Sequence, residues 1–304
     1  GVAKGSMTSN GGLSGRHRLF AGRKKRARTH RRQRARLALD KTGESMKRLE
    51  HLYRTLATGF CFCVFFVMGV SFRVFVCPLL ALIYRHDARQ KVLTARRVVQ
   101  KSFAFFTALM QGLGVLKLTI NGRKKLAAPG LLICPSHPTL IDVVILMSLI
   151  PNASCIVKAA LAQKAAMKGP LKTAGYLTND NGPALVDACA ETLALGDTLI
   201  IFPEGTRSVP GKIPHLQHGA AAAALAAKSP VTPVRITCEP PSLMKGIPWY
   251  RIPERPMHIT VTVLDAIDPA PFLAAEMNEG RPKAVRSLTR TLFSSLFPQL
   301  TTAK

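Results

Sequence analysis

Short apolar runs alternate with longer segments of helical length along most of the chain after residue 100. Such runs are typical of strands that are covered on both faces of a sheet. The predicted strands are Val115–Ile120, Leu131–Pro135, Ser154–Lys158, Thr198–Pro203, Val231–Thr237 and Met257–Leu264. The predicted helices are Leu140–Leu149, Pro183–Leu195, Gly219–Lys228 and Pro282–Phe297. The pattern predicts an α/β protein with a mixed, largely parallel sheet flanked by helices.

One apolar stretch, residues 56–84, differs from the others because its length suits a membrane. It contains a single charge, Arg73, and a proline, Pro78. A membrane span needs about 20 apolar residues, so residues 56–72 fall slightly short and the full stretch exceeds one span. Two membrane arrangements fit: one imperfect crossing, or a helical hairpin that enters one leaflet and returns. A buried helix of a soluble protein is the third alternative.

The charge of the chain is strongly positive and unevenly distributed. The sequence has 43 Lys and Arg residues against 16 Asp and Glu, a formal net charge of +27. Residues 1–48 hold 15 of these bases and only two acids, and the run Arg23–Arg36 contains no acid. Such a run repels itself, which predicts a disordered tail or a helix that forms on a surface. Anionic lipid, nucleic acid and simple solvation each fit this tail.

The position of the basic tail favours lipid as its partner. It precedes the apolar stretch directly, and bases that flank a membrane segment are typical of the cytoplasmic side. We therefore expect attachment to anionic lipid at the cytoplasmic face of the inner, or cell, membrane. Between Arg16 and Arg48 the only aromatic residue is Phe20, which argues against a nucleic-acid partner because stacking on bases requires interleaved aromatic residues.

These features predict four segments. They are a basic tail (1–48), a membrane-associated helical segment (49–100), an α/β domain (101–275) and a C-terminal helix (276–304). The seven cysteines include no C-x-x-C pair, so the sequence suggests no zinc site and no disulfide framework. No metal is expected.

The first motif that carries chemistry is S-H-P-T-L-I-D, in which His137 follows a predicted strand and Asp142 follows five residues later. Pro138 can occupy the first helical turn, and Asp142 can then approach the imidazole. A carboxylate on one ring nitrogen fixes the tautomer and leaves the other nitrogen as a general base. A capping or purely structural histidine is the alternative.

The second motif is F-P-E-G-T-R-S, which begins at Phe202 after another apolar run. Gly205 permits a close backbone approach, Thr206 offers a hydroxyl, and the planar guanidinium of Arg207 matches phosphate. An ion pair between Arg207 and Glu204 or another acid is the alternative. If both strands are parallel, the base and the anion site lie at the same edge of one sheet.

With these two motifs, the chain resembles the glycerolipid acyltransferases typified by bacterial 1-acylglycerol-3-phosphate acyltransferase. The segment Val231–Val234, V-T-P-V, is similar to a late element of that family. The resemblance implies transfer of an acyl group from acyl-CoA or acyl carrier protein to the hydroxyl of a lysophospholipid, with no cofactor, metal or covalent enzyme intermediate. It implies that His137 deprotonates the acceptor and that Asp142 orients His137. The substrate-binding residues that it implies are Glu204, Gly205, Thr206, Arg207 and Pro233.

The chain departs from the family pattern at Gly175–Asp180, where an arginine is usual and this sequence has none. Lysines precede this segment at Lys158, Lys164, Lys168 and Lys172. The acceptor is therefore lysophosphatidate or a different hydroxylated lipid or glycolipid. A serine hydrolase would need a G-x-S-x-G element, which this sequence lacks. A lipid-binding relative without activity is the remaining alternative.

Overall fold

The computed structural model describes residues 44–179 and 183–301. These residues divide into a short unit that ends at Tyr53 and a large unit that begins at Arg54. The large unit holds the sheet and both sequence motifs. The basic run Arg23–Arg36 and Asp180 lie outside the described residues, so the expectations placed on them stay predictions.

The apolar stretch lies in one continuous helix, α1 (Glu44–Ile83), which is 40 residues long. Its apolar window has a mean hydropathy of 2.3 and is only 11% buried, so the helix has the length and composition to cross a membrane. It does not turn back at Pro78. Instead Phe72–Val76 is a π-helical turn that ends where the backbone N–H of Cys77 donates to the carbonyl of Phe72. This wider turn accommodates a proline, which has no N–H and crowds the preceding turn.

The strands of the described residues are β1 (Leu116–Asn121), β2 (Leu132–Pro135), β3 (Ala153–Val157), β4 (Leu177–Thr178), β5 (Thr198–Ile200), β6 (Val231–Glu239) and β7 (Met257–Val263). They form one sheet in the order β1-β7-β6-β2-β5-β3-β4. Only β6 and β7 pair antiparallel, and the other neighbours pair in parallel. The predicted mixed, largely parallel sheet is confirmed.

The helices that follow α1 are α2 (Ala88–Gly112), α3 (Asp142–Leu149), α4 (Ala159–Ala162), α5 (Ala165–Thr173), α6 (Pro183–Ala194), α7 (Gly219–Ala227), α8 (Ala270–Glu279), α9 (Arg281–Leu296) and α10 (Pro298–Thr301), with a 3-10 turn at Arg123–Leu126. Two predicted boundaries move for physical reasons. Strand β5 ends at Ile200 because the chain turns at Phe202, whose carbonyl accepts from Gly205 N–H. Helix α3 starts at Asp142, since Thr139 N–H bonds the Asp142 carboxylate in a turn before the helix.

Two apolar clusters cover the sheet, and alternation along β2 divides them. Ile133 packs in the cluster that includes α2 and α3, whereas Leu132 and Cys134 pack in the cluster that includes α7 and α9. Successive side chains of a strand point to opposite faces, so both faces of β2 are buried. This double coverage explains why the central strands are short, continuous apolar runs.

A buried ionic cluster ties α2 to the sheet around Asp197, which directly precedes β5. Arg96 donates to the Asp197 carboxylate at 2.7 Å and Arg89 at 2.6 Å, and the Asn152 side-chain amide also donates. The Asp197 side chain is 2% exposed and that of Arg96 is 4% exposed. Burial alone would raise the pKa of Asp197, but the donors from Arg89, Arg96 and Asn152 hold this pKa below its usual range.

We expect Asp197→Ala to lower the free energy of unfolding by about 3 kcal/mol, because it leaves the Arg96 guanidinium buried without its counter-charge. Chemical denaturation of the detergent-purified protein measures this loss. Asp265→Ala is the matched control: Asp265 pairs with Lys125 at 2.7 Å but is 97% exposed, so we expect no measurable change. An equal loss in both variants would contradict the buried-cluster interpretation.

Candidate active site

The turn that follows β2 is fixed to β6 by the side chain of Ser136, which is 2% exposed. Its hydroxyl accepts from the Ile236 N–H at 2.9 Å and lies 3.3 Å from the Ile236 carbonyl. Its own N–H donates to the Val234 carbonyl at 3.0 Å. Ser136 thus extends the β2–β6 pairing by one residue, and His137 leaves the sheet from a rigid position.

The imidazole of His137 is paired with the carboxylate of Asp142 at the start of α3. The Nδ1 atom of His137 lies 2.9 Å from Oδ2 of Asp142, and the side chains are 16% and 0% exposed. With Nδ1 donating to the carboxylate, Nε2 is the nitrogen left to accept a proton. The pair has the geometry of a general base with its orienting acid.

Asp142 is held by its own turn as well as by His137. The Thr139 N–H donates to Oδ2 at 2.7 Å, and the Thr139 hydroxyl donates to Oδ1. Burial raises the pKa of Asp142, while the bonds from His137 and Thr139 act in the opposite direction. Because both carboxylate oxygens are engaged, the Asp142 side chain is fixed in the position from which it contacts the imidazole.

Glu204 joins the two motifs. Its Oε1 accepts from the backbone N–H of His137 at 2.8 Å, and its Oε2 accepts from the Ser208 hydroxyl at 2.7 Å. The Ser208 N–H in turn donates to the His137 carbonyl at 2.7 Å. Burial raises the pKa of Glu204, against the effect of the Ser208 and His137 donors. Glu204 therefore fixes the His137 turn to the loop after β5, and neither of its oxygens is bonded to Arg207.

The ring of Phe202 covers one side of His137. The two ring centroids are 4.2 Å apart with an interplanar angle of 38°. Phe202 also packs against the apolar cluster that includes α2 and α3. The imidazole is therefore held between a buried carboxylate and an aromatic ring, which restricts its rotation.

A cavity of about 560 Å³ opens beside the second motif. It is lined by Lys158, Ala159, Ala160, Asn179, Glu204, Gly205, Thr206 and Gln217. Gly205 has a φ of +64°, a conformation that favours glycine, and its N–H donates to the Phe202 carbonyl at 3.0 Å. The tight turn brings the motif backbone to the wall of the cavity. Through Glu204, this wall is directly bonded to the His137 turn.

Arg207 is held by a segment from outside both motifs. Its Nη1 donates to the carbonyl of Leu243 at 3.2 Å, and the neighbouring Thr206 hydroxyl accepts from Lys245 Nζ at 3.1 Å. The predicted alternative of a Glu204–Arg207 ion pair does not occur, because the oxygens of Glu204 bond His137 and Ser208. The guanidinium has no acidic partner among the residues that the structure describes.

Pro233 lies away from the cavity lining. It is buried in β6, opposite Cys134 of β2, and its carbonyl accepts from the Leu264 N–H at 3.0 Å. The structure therefore brings His137, Asp142 and the second motif together but leaves Pro233 within the sheet. A direct role of Pro233 in binding substrate stays a prediction.

The segment that lacks the usual arginine also borders the cavity. The side-chain oxygen of Asn179 accepts from the Ala159 N–H at 2.8 Å and lines the cavity together with Lys158. Lys164, Lys168 and Lys172 do not line it. Of the four lysines noted from the sequence, Lys158 is therefore the one at this site.

The sequence alone did not identify Leu243, Lys245 or Gln217 as site residues. Leu243 and Lys245 belong to the Pro-rich segment 238–256, whose composition and length are typical of a long loop. Gln217 lines the cavity, and its N–H donates to the Pro203 carbonyl at 2.7 Å. The length of the loop was the available signal, and it does not single out a residue.

Comparison with known proteins finds one matching family model and a similar fold. The family model described as Acyltransferase matches residues 117–237, which contain both motifs. The chain is similar to the crystal structure of PlsC, the 1-acyl-sn-glycerophosphate (LPA) acyltransferase from Thermotoga maritima, with 19% identity and a TM-score of 0.56. That similarity covers 85% of this chain and 98% of the other and supports the fold. No curated protein matches the sequence significantly. The family resemblance read from the motifs is confirmed.

The raised pKa of Glu204 generates a pH-dependent prediction. A protonated Glu204 and the variant Glu204→Gln are both neutral, so we expect similar stabilities near pH 4. Because the pKa of Glu204 is higher in the folded than in the unfolded chain, the unaltered protein loses stability as the pH rises between these two pKa values, whereas Gln has no proton to lose. The stability difference should therefore shift in favour of Glu204→Gln towards pH 7 in denaturation experiments. If the unaltered chain instead gains stability relative to Glu204→Gln between pH 4 and pH 7, burial does not raise the pKa of Glu204 as proposed.

Proposed function

Because residues 117–237 match the family model described as Acyltransferase, we propose that this chain is a membrane-bound O-acyltransferase for lysophospholipids. The acyl donor is acyl-CoA or acyl carrier protein. The leading acceptor is 1-acylglycerol-3-phosphate, which would give phosphatidate. The observation that carries the proposal is the His137–Asp142 pair, which is bonded through Glu204 to the wall of a 560 Å³ cavity.

In the proposed reaction, Nε2 of His137 accepts the proton of the acceptor hydroxyl as its oxygen attacks the thioester carbonyl. The new C–O bond forms as the C–S bond breaks, and the leaving thiolate takes the proton back from His137. Asp142 stabilises the imidazolium that exists between these two proton transfers. The chemistry requires no metal, no cofactor and no covalent bond to the enzyme.

The second motif would bind the acceptor in this reaction. The guanidinium of Arg207 offers a planar fork that suits phosphate, and its bond from Nη1 to the Leu243 carbonyl leaves further N–H donors. Gly205 and Thr206 line the cavity beside it. Glu204 contributes by holding the His137 turn rather than by contacting an anion.

Membrane binding supports a lipid acceptor. Helix α1 is the one helix of the described residues that has the length and composition to cross a membrane, and the bases of residues 1–48 precede its apolar part. We assign the enzyme to the cytoplasmic face of the inner membrane, where acyl-CoA and acyl carrier protein are available. The net charge of +27 suits anionic lipid and both anionic donors, so charge does not rank the donors.

A second acceptor class has one observation in its favour. The segment Gly175–Asn179 contributes Asn179 to the cavity lining. It carries no arginine, although the family usually has one in this region. A hydroxylated lipid or glycolipid without a phosphate would need fewer cations in the site. Assays with lysolipids that carry a phosphate and with lysolipids that lack one separate the two classes.

We expect His137→Ala to lower kcat by about 10³-fold or more, because the variant loses its general base. The measurement is transfer from radiolabelled acyl-CoA and, separately, from acyl carrier protein by the detergent-purified enzyme. His86→Ala is the control, because His86 is exposed in the turn between α1 and α2. Full turnover in a folded His137→Ala variant would overturn the mechanism.

We expect Arg207→Ala to raise the acceptor KM by roughly tenfold or more for phosphate-bearing lysolipids. If Arg207 also positions the hydroxyl, kcat falls as well. The assay uses lysolipids with and without phosphate as acceptors. Product from phosphate-bearing acceptors alone supports the lysophosphatidate class, and product from phosphate-free acceptors alone assigns the enzyme to the second class. An unchanged acceptor dependence in Arg207→Ala would contradict its role in binding phosphate.

A further inference from the structure

The segment after β6 returns to the active site through a residue in an unusual conformation. Leu243 has a φ of +54°, the left-handed region that a leucine adopts only where surrounding contacts enforce it. It is 3% exposed, and the preceding Ser242 is also 3% exposed. The backbone at this point is therefore buried and held in one arrangement.

The left-handed turn aims one carbonyl at both motifs. The oxygen of Leu243 accepts from the Leu140 N–H at 3.0 Å and from Arg207 Nη1 at 3.2 Å. Leu140 lies within the His137–Asp142 turn, and Arg207 lies within the second motif. A single backbone oxygen thus fixes the guanidinium relative to the catalytic turn.

Lys245 follows two residues later and reaches the same motif. Its Nζ donates to the Thr206 hydroxyl at 3.1 Å, and Thr206 lines the cavity. Thr206 therefore has two cationic neighbours: Arg207 follows it in the sequence, and Lys245 bonds its hydroxyl. Both are positioned by the segment Ser242–Lys245.

The charges around this wall are unbalanced. Glu204 is the acid that lines the cavity, and both of its oxygens accept bonds from His137 and Ser208. Within the described part of the chain, neither Arg207 nor Lys245 forms an ion pair. Two cations without acids beside a cavity favour an anionic ligand, and a phosphomonoester carries close to two negative charges at neutral pH.

We propose that Lys245 is a specificity-determining residue that binds the phosphate of the acceptor together with Arg207. It supplies the second cation that the arginine-free segment Gly175–Asn179 does not. The inference rests on the proposed acyltransferase function. It adds that selection of a phosphate-bearing acceptor depends on the loop after β6 and not only on the second motif.

The test compares Lys245→Gln with Lys245→Arg and with Lys117→Gln. Gln removes the charge but can still bond Thr206, Arg restores a cation, and Lys117 is an exposed lysine on the edge strand β1. We expect Lys245→Gln to raise the KM for 1-acylglycerol-3-phosphate by about 5- to 20-fold. The KM for acyl-CoA, which does not use the phosphate site of the acceptor, should change less than twofold. Lys245→Arg should recover most of the loss, and Lys117→Gln should behave like the unaltered enzyme.

Inhibition by glycerol 3-phosphate gives a second readout. Partial unfolding would lower activity generally, whereas loss of the phosphate contact would weaken inhibition by this compound in particular. The inhibition constant of glycerol 3-phosphate should rise in Lys245→Gln by a factor similar to that of the KM for 1-acylglycerol-3-phosphate, with the KM for acyl-CoA unchanged. Equal behaviour of Lys245→Gln and Lys117→Gln towards phosphate-bearing lipids would overturn the inference alone. If the unaltered enzyme acylates only phosphate-free lipids, both this inference and the lysophosphatidate assignment are overturned.

Discussion

The parallel pairing of β2 with both β5 and β6 is the constraint on which the site depends. Ile133 lies opposite Ile200 on one side and Thr232 on the other, so the carboxyl ends of the three strands reach one edge together. The His137 turn, the second motif and the loop 240–256 all leave the sheet from this edge. A shift of register in either pair would separate the imidazole from the Arg207 loop, because the bond from His137 N–H to Glu204 spans only 2.8 Å.

Two buried carboxylates, Asp142 and Glu204, make this edge rigid. Asp142 bonds the His137 imidazole, and Glu204 bonds the His137 backbone and Ser208. Burial raises the pKa of both Asp142 and Glu204, so each needs hydrogen-bond donors to remain ionised. The donors are the backbone and side chains of the two motifs themselves. Each buried carboxylate has its hydrogen-bond donors only when the turn is formed, so the turn is favoured over open arrangements that would leave the charge unpaired. The imidazole is therefore oriented before substrate binds.

The sequence predicted the strands and the contact between His137 and Asp142 because those features are local. Apolar runs located every strand except β4, which has two residues and too little length for a pattern. His137 and Asp142 are five residues apart, so one turn determines their contact. Leu243 and Lys245 were missed because their partners, Arg207 and Thr206, are 36 and 39 positions away. Neither periodicity nor a motif reports which loop residue meets a distant turn in space.

The loop 240–256 also explains how a site at the sheet edge is connected to the long apolar helix α1. Trp249 packs against Phe62 of α1, with ring centroids 5.5 Å apart, and a Cβ atom at Gly59 would lie 3.7 Å from the indole. The same loop bonds Arg207 through the Leu243 carbonyl. It is therefore anchored to the apolar helix at one end and to the cationic wall at the other. The position of the Arg207 guanidinium therefore depends on a loop that also packs against α1.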